Sequence, residues 1–160
     1  MMRVLIVDDE AGIRKTTRIA VETAGHTGVE ASTRARALAL LSEEAFDACF
    51  LDLKLGQDDG LAVLERLLKE QPALSVVMFT AYATIATAVE AMRRGAYDFI
   101  PKPFTPDQVR AVLARIERTS ALQHKVQSLE SQLADEAPAL DLEAAEPAMQ
   151  RTLEVLFKAA

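Results

Sequence analysis

Cysteine occurs once in these 160 residues, at Cys49, so no intramolecular disulfide can form. The chain therefore suits a reducing compartment and is not a stapled secreted scaffold. Glycine and proline are sparse, at 6 each, and the chain is 50% apolar, which excludes a collagen-like or disordered polymer. The fold must rest on packing. Long apolar runs are missing too: the opening MMRVLIVDDE meets charge almost at once, and no segment approaches the roughly 18 consecutive apolar residues of a membrane span. A soluble, cytoplasmic protein is expected. Positive charge is also short, with 18 Lys and Arg against 24 Asp and Glu and a formal net charge of -6. Gripping a nucleic-acid backbone takes clustered cations, so any DNA function must lie outside this chain, and no direct nucleic-acid or membrane contact is expected of it.

The residues that are present alternate between two patterns. Arg3 to Val7 is a short β-branched apolar run that ends abruptly in Asp8-Asp9-Glu10, the pattern of a buried strand meeting a polar loop. A helix follows over Gly12 to Ala24, with Gly25 where a left-handed cap residue belongs. The alternation continues through a weak strand at Thr27 to Ala31 and a helix from Arg34 to Glu43. The clearest strand, Asp47 to Leu51, runs into Asp52 without polar alternation, as a parallel strand covered on both faces should. Leu61 to Glu70 is a helix, Leu74 to Phe79 a strand ending in Thr80, Ile85 to Arg94 a helix before Gly95, and Ala96 to Ile100 a fifth strand before Pro101-Lys102-Pro103. Thr105-Pro106-Asp107 supplies an N-cap, a first-turn proline and an acidic first turn for a long last helix.

Five strands alternating with five helices predict an α/β fold with a parallel central sheet and right-handed crossovers. Ligands of such sheets sit at the carboxyl ends of the strands. The residues at those ends are Asp8, Asp9, Asp52, Thr80 and Lys102. Singly, each has an ordinary explanation, since an Asp after a strand often caps a helix and a loop Lys is usually solvated. Together they converge on one edge. Three neighbouring carboxylates repel one another unless protons or a cation offset the charge, and oxygen donors without His or Cys suit Mg2+ or Mn2+. A lysine and a threonine hydroxyl are fit to hold phosphoryl oxygens, so the set matches phosphoryl transfer with an aspartate as nucleophile. A nucleotide site is the rival, but neither GxxxxGK[ST] nor GxGxxG is present.

These motifs resemble the receiver domain of two-component response regulators over residues 1 to about 118: VDDE at 7 to 10, LDLKLGQDDG at 51 to 60, FTAY at 79 to 82 and IPKPF at 100 to 104. The resemblance implies a CheY-like, flavodoxin-like fold with a five-stranded parallel sheet in the order 2-1-3-4-5. It puts the phosphoacceptor on Asp52, metal ligands on Asp8, Asp9, Asp52 and the backbone carbonyl of Lys54, and the switch hydroxyl on Thr80. It also puts the phosphate-contacting lysine on Lys102, a cis peptide before Pro103, and a rotamer switch on Phe99, where tyrosine is commoner. The implied donor is a sensor histidine kinase, and the domain would catalyse only its own phosphorylation and dephosphorylation. Leu55-Gly56 stands where the family often has Met-Pro, which predicts a more mobile loop. Lys54 and Tyr82 are the positions that shape water access to the acyl phosphate in this family.

Beyond 118, Leu122, Val126, Leu129 and Leu133 recur at intervals of four, three and four, an a/d seam over two heptads. Residues 119–134 are thus expected to form a helical dimerisation extension, and a homodimer is the expected assembly. Residues 135–146 read as an acidic linker. Residues 147–160 resemble the entry to the AAA+ ATPase domain of the NtrC group, and FLDLKLGQDDGL resembles its AlgB-like branch. That resemblance implies an N-terminal fragment of a sigma factor 54-dependent transcription activator, whose remainder would be the ATPase and a DNA-binding domain. Two other functions fit parts of the pattern: a metal-dependent small-molecule phosphatase, and a constitutive dimerisation module.

Overall fold

The computed structural model describes residues 1–81 and 84–136, with side chains except at positions 124, 127 and 131–136. Tyr82, the Leu133 side chain, most of the expected linker and the 147–160 segment lie outside the described residues. In chain order the elements are β1 (Arg3–Val7), α1 (Ala11–Thr23), β2 (Thr27–Ala31), α2 (Arg34–Glu43), β3 (Ala48–Asp52), β4 (Lys54–Leu55), β5 (Asp58–Asp59), α3 (Gly60–Glu70), β6 (Ser75–Thr80), α4 (Ile85–Arg93), β7 (Asp98–Pro101) and α5 (Pro106–Glu136). The main sheet runs β2-β1-β3-β6-β7 with every pair parallel. Without the small antiparallel β4–β5 hairpin, this is the expected order 2-1-3-4-5.

Continuous apolarity marks the strands that are covered twice. Along β1 and β3, Leu5, Val7, Cys49 and Leu51 face one core with α2 and α3, while Val4, Ile6, Ala48 and Phe50 face another with α1 and α5. Successive side chains point to opposite faces, so neither face can be polar. The weak signal at Thr27 to Ala31 has a matching cause: β2 is an edge strand, half-buried over its first four residues. The contacts divide the chain after Arg118, so the sheet, α1 to α4 and the first part of α5 form one unit, Met1–Arg118.

Local chemistry sets the helix ends. Thr105 Oγ1 accepts from the Gln108 amide at 3.2 Å and the Gln108 side chain accepts from the Thr105 amide at 2.8 Å, a reciprocal cap ahead of α5. Thr84 and Thr87 cap α4 in the same way. Two boundaries differ from the sequence expectation by more than one residue. The last strand is Asp98–Pro101 and not 96–100, because Gly95, at φ 105°, turns the chain and the ladder with β6 begins at Val77–Asp98. The last helix continues through Glu136, two residues into the expected linker; Glu is a good helix former, and the breaking proline comes only at 138.

Gly60, the first residue of α3, packs tightly against the backbone behind the β3 end. A Cβ there would lie 2.4 Å from the Leu53 carbonyl oxygen and 2.5 Å from that of Asp52, and its own amide donates to Leu53 O at 2.7 Å. The backbone after Asp52 can loop back onto α3 only where there is no side chain. We expect Gly60→Ala to destabilise the protein by about 2 kcal/mol, the usual scale for overpacking, measured as a shift of the urea midpoint.

Candidate functional site

The parallel sheet gathers the predicted residues at one edge. Asp8 follows β1, Asp52 ends β3, Thr80 ends β6 and Lys102 follows β7. Asp8, Asp52 and Thr80 are buried, at 0%, 5% and 1% exposure, whereas Asp9 is exposed. Lys102 joins them: its Nζ lies 3.0 Å from Asp8 Oδ2 and 3.3 Å from Asp52 Oδ2. Its ammonium also stands 5.0 Å from the centre of the Phe79 ring, close enough for a cation–π contact. The second oxygen of each buried carboxylate takes a backbone amide, Glu10 N on Asp8 Oδ1 at 2.8 Å and Lys54 N on Asp52 Oδ1 at 3.2 Å.

These contacts divide the electrostatics. Burial raises the pKa of Asp8 and of Asp52 above the ordinary carboxylate value, and the amide bonds and Lys102 offset only part of that rise. For Lys102, burial is the largest single influence and lowers the pKa, but the hydrogen bonds and charges of Asp8 and Asp52 together outweigh it and the net direction is up. Lys102 is therefore a fixed cation between two carboxylates that resist ionisation. The Lys102–Pro103 peptide bond is cis, and the Lys102 amide donates to Thr80 O at 2.8 Å, which ties the lysine's backbone to the end of β6.

In front of these groups is a cleft of about 190 Å³ lined by Asp9, Glu10, Asp52, Lys54, Gly56, Thr80, Ala81 and Lys102. Carboxylate oxygens of Asp8, Asp9 and Glu10 all lie within 4.8 Å of one another. The acidic side chains here, Asp8, Asp9, Glu10 and Asp52, offer oxygen only and outnumber the cleft lysines Lys54 and Lys102, so the residues present fit a hard divalent cation such as Mg2+ or Mn2+. Where the resembling pattern has Met-Pro, Leu55 is buried and Gly56 takes φ 59°, a backbone closed to proline, with its amide donating to Asp9 Oδ2 at 3.2 Å. Phe99 is half-buried against the α2–α3 core and does not line the cleft.

Sequence reasoning passed over three residues here. Glu10 stands third in the acid run and could have been read from it. Gly60 carried no signal beyond its residue type. Arg14 is a helix residue whose guanidinium donates to Asp8 O at 2.7 Å, a contact that depends on the turn of the loop and has no linear signature.

Comparison with known proteins agrees with this fold. Residues 4–114 match the family model described as response regulator receiver domain. The chain is 40% identical over 152 residues to the alginate biosynthesis transcriptional regulatory protein AlgB of Pseudomonas aeruginosa, covering 95% of this chain and 33% of that relative. The crystal structure of NtrX from Brucella abortus superimposes with a TM-score of 0.75 at 41% identity, over 80% of this chain and 29% of that one. A response regulator from Burkholderia pseudomallei, solved with a phosphorylated aspartic acid, calcium ion and citrate, gives a TM-score of 0.65 at 32% identity, over 86% of this chain and 76% of that one. The chain thus spans about a third of the AlgB relative. Among the described residues no helix is long and apolar enough to cross a membrane.

The raised carboxyl pKa values fix the sign of a pH effect. A carboxyl whose folded pKa is raised holds its proton more tightly when folded, so its contribution is full below the ordinary value and is lost as pH rises through the raised value. Metal-free Asp52→Asn should therefore melt at a higher temperature than wild type at neutral pH, and the difference should shrink as the pH is lowered towards the ordinary carboxylate value. Thermal melts across that pH range measure both.

Proposed function

The chain belongs to the response regulator receiver domains, regulatory modules of two-component systems, and on that footing we propose that Asp52 accepts a phosphoryl group from a sensor histidine kinase. The observation that carries this reading is the Lys102 ammonium spanning Asp8 and Asp52 at the carboxyl ends of parallel strands. An ionised Asp52 oxygen attacks the phosphorus of the donor phosphohistidine. The new P–O bond forms as the P–N bond breaks, and the imidazole nitrogen leaves with the electron pair. Lys102 follows the negative charge from the carboxylate to the phosphoryl oxygens, and the Thr80 hydroxyl takes a second oxygen. Asp8, Asp9, Asp52 and the Lys54 carbonyl are the residues that would hold Mg2+, with Glu10 beside them. The cation supplies neutralisation of the acidic cluster and polarisation of the phosphoryl group.

Phosphorylation changes charge at a buried edge, and Thr80 and Phe99 are the residues through which the change leaves it. Thr80 ends β6, and Phe99 lies on neighbouring β7 in register with Met78. The protein's catalysis is limited to its own phosphorylation and dephosphorylation, in the cytoplasm. Likeness to a transcriptional regulatory protein over 152 residues supports a place ahead of an AAA+ ATPase and a DNA-binding domain in a sigma factor 54-dependent activator of the NtrC group. Dimerisation through the end of α5 is supported by Leu122, Val126 and Leu129, which are 61%, 52% and 49% exposed on a helix that offers them at a/d spacing. A β-branched residue at a with leucines at d favours two parallel strands.

Mass spectrometry after incubation with acetyl phosphate and Mg2+ tests the central assignment. Wild type should gain one phosphoryl group that is lost when Mg2+ is chelated during the reaction, and Asp52→Asn should gain none. Equal labelling of the two proteins would place the acceptor elsewhere.

A further inference from the structure

We propose that Arg14, clamped by Glu30, is a positioning residue for the acidic cluster: it fixes the peptide that carries Asp8 and Asp9 and thereby sets the affinity for the divalent cation. The inference rests on the metal reading of the cleft given above.

A backbone group just beyond β1 runs out of sheet. β1 and β2 pair as far as Val7 and Ala31, and one further bond, Asp8 N to Ala31 O at 3.2 Å, closes that ladder. The next acceptor, the Asp8 carbonyl, lies beyond the end of β2. A buried carbonyl without a donor is costly, and here the donor is Arg14 Nη1 at 2.7 Å. Arg14 is itself held: its Nε donates to Glu30 Oε1 at 3.3 Å, and the other oxygen of Glu30 is taken by Arg18 Nη1 at 2.6 Å. The inner pair is sheltered, with Arg14 and Glu30 side chains 17% and 25% exposed, while Arg18 on the outside is 40% exposed.

The two ends of the Asp8 residue are therefore both referred to β2, its N–H through Ala31 and its C=O through Arg14 and Glu30. Rotation of the Asp8–Asp9 peptide would break the short Arg14 bond and would carry the Asp9 and Glu10 carboxylates with it. It would also disturb the Glu10 amide that supports Asp8 Oδ1 at 2.8 Å. Outer groups of this kind orient ligands and typically change metal affinity by about 10–100-fold when removed.

Positioning and plain electrostatics predict opposite signs. Removing a cation near an acidic cluster tightens binding of a second cation by Coulomb's law alone. Loss of orientation weakens it. Calorimetric titration of the chain with Mg2+ should show Arg14→Met weakened about tenfold, and Glu30→Gln, which keeps the volume but frees the guanidinium, weakened less. Arg18→Met removes the same charge from the same glutamate without touching Asp8, and its affinity should be unchanged or slightly tighter. Hydrogen exchange on the metal-free proteins gives an independent reading: the Glu10 amide should exchange faster in Arg14→Met than in wild type and Arg18→Met. Mg2+ binding by Arg14→Met as tight as wild type or tighter, with unchanged Glu10 protection, would overturn the proposal, as would equal weakening in Arg18→Met. A wild-type chain that binds no Mg2+ overturns the metal reading itself, whereas the exchange measurement then still decides whether Arg14 holds the loop.

Discussion

Two carboxylates in this domain are buried at strand ends, and one ammonium keeps them there. Without Lys102, Asp8 and Asp52 would face each other across the β1–β3 boundary, each keeping its backbone amide donor but losing the ammonium on its other oxygen, and burial of unpaired charge is among the costliest defects a fold can carry. With it, the carboxylates remain hard to ionise but are held in one geometry. The same arrangement leaves the acidic cluster short of positive charge. A site with too little cation inside it is one that a metal and a phosphoryl group can complete together.

The rest of the structure places Lys102 across that gap. It lies 94 residues from Asp8 and 50 from Asp52 in sequence, and only the parallel topology makes the three neighbours. The bond from the Lys102 amide to Thr80 O holds its backbone, and the Phe79 ring stands beside its ammonium. Gly60 lets the chain behind Asp52 close, and Arg14 anchors the peptide behind Asp8. A lysine late in the chain is thus held by contacts from the residue after β1, from the end of β3 and from β6.

What could be read in the sequence followed from how completely each element is covered. β1, β3 and β6 are buried on both faces and appear as unbroken apolar runs that stop at an acid or a threonine, so both the strands and the site residues at their ends were legible. β2 and β7 lie at the edges, half in water, and their patterns are correspondingly faint; the register of β7 with β6 moved its start by two residues. The β4–β5 hairpin could not be foreseen, because its strands are two residues each and LysLeuGlyGlnAspAsp has no periodicity to show. Contacts such as Arg14 with Asp8 O arise from backbone geometry at a strand end, and residue type alone does not encode them.

The most direct measurement of the central interaction is an NMR titration of the Asp8 and Asp52 carboxyl carbons, metal-free, in wild type and Lys102→Met. Both carboxyls should titrate above the ordinary carboxylate value in wild type and move further up when the ammonium is removed. Ordinary titration in wild type, or no movement in Lys102→Met, would contradict it.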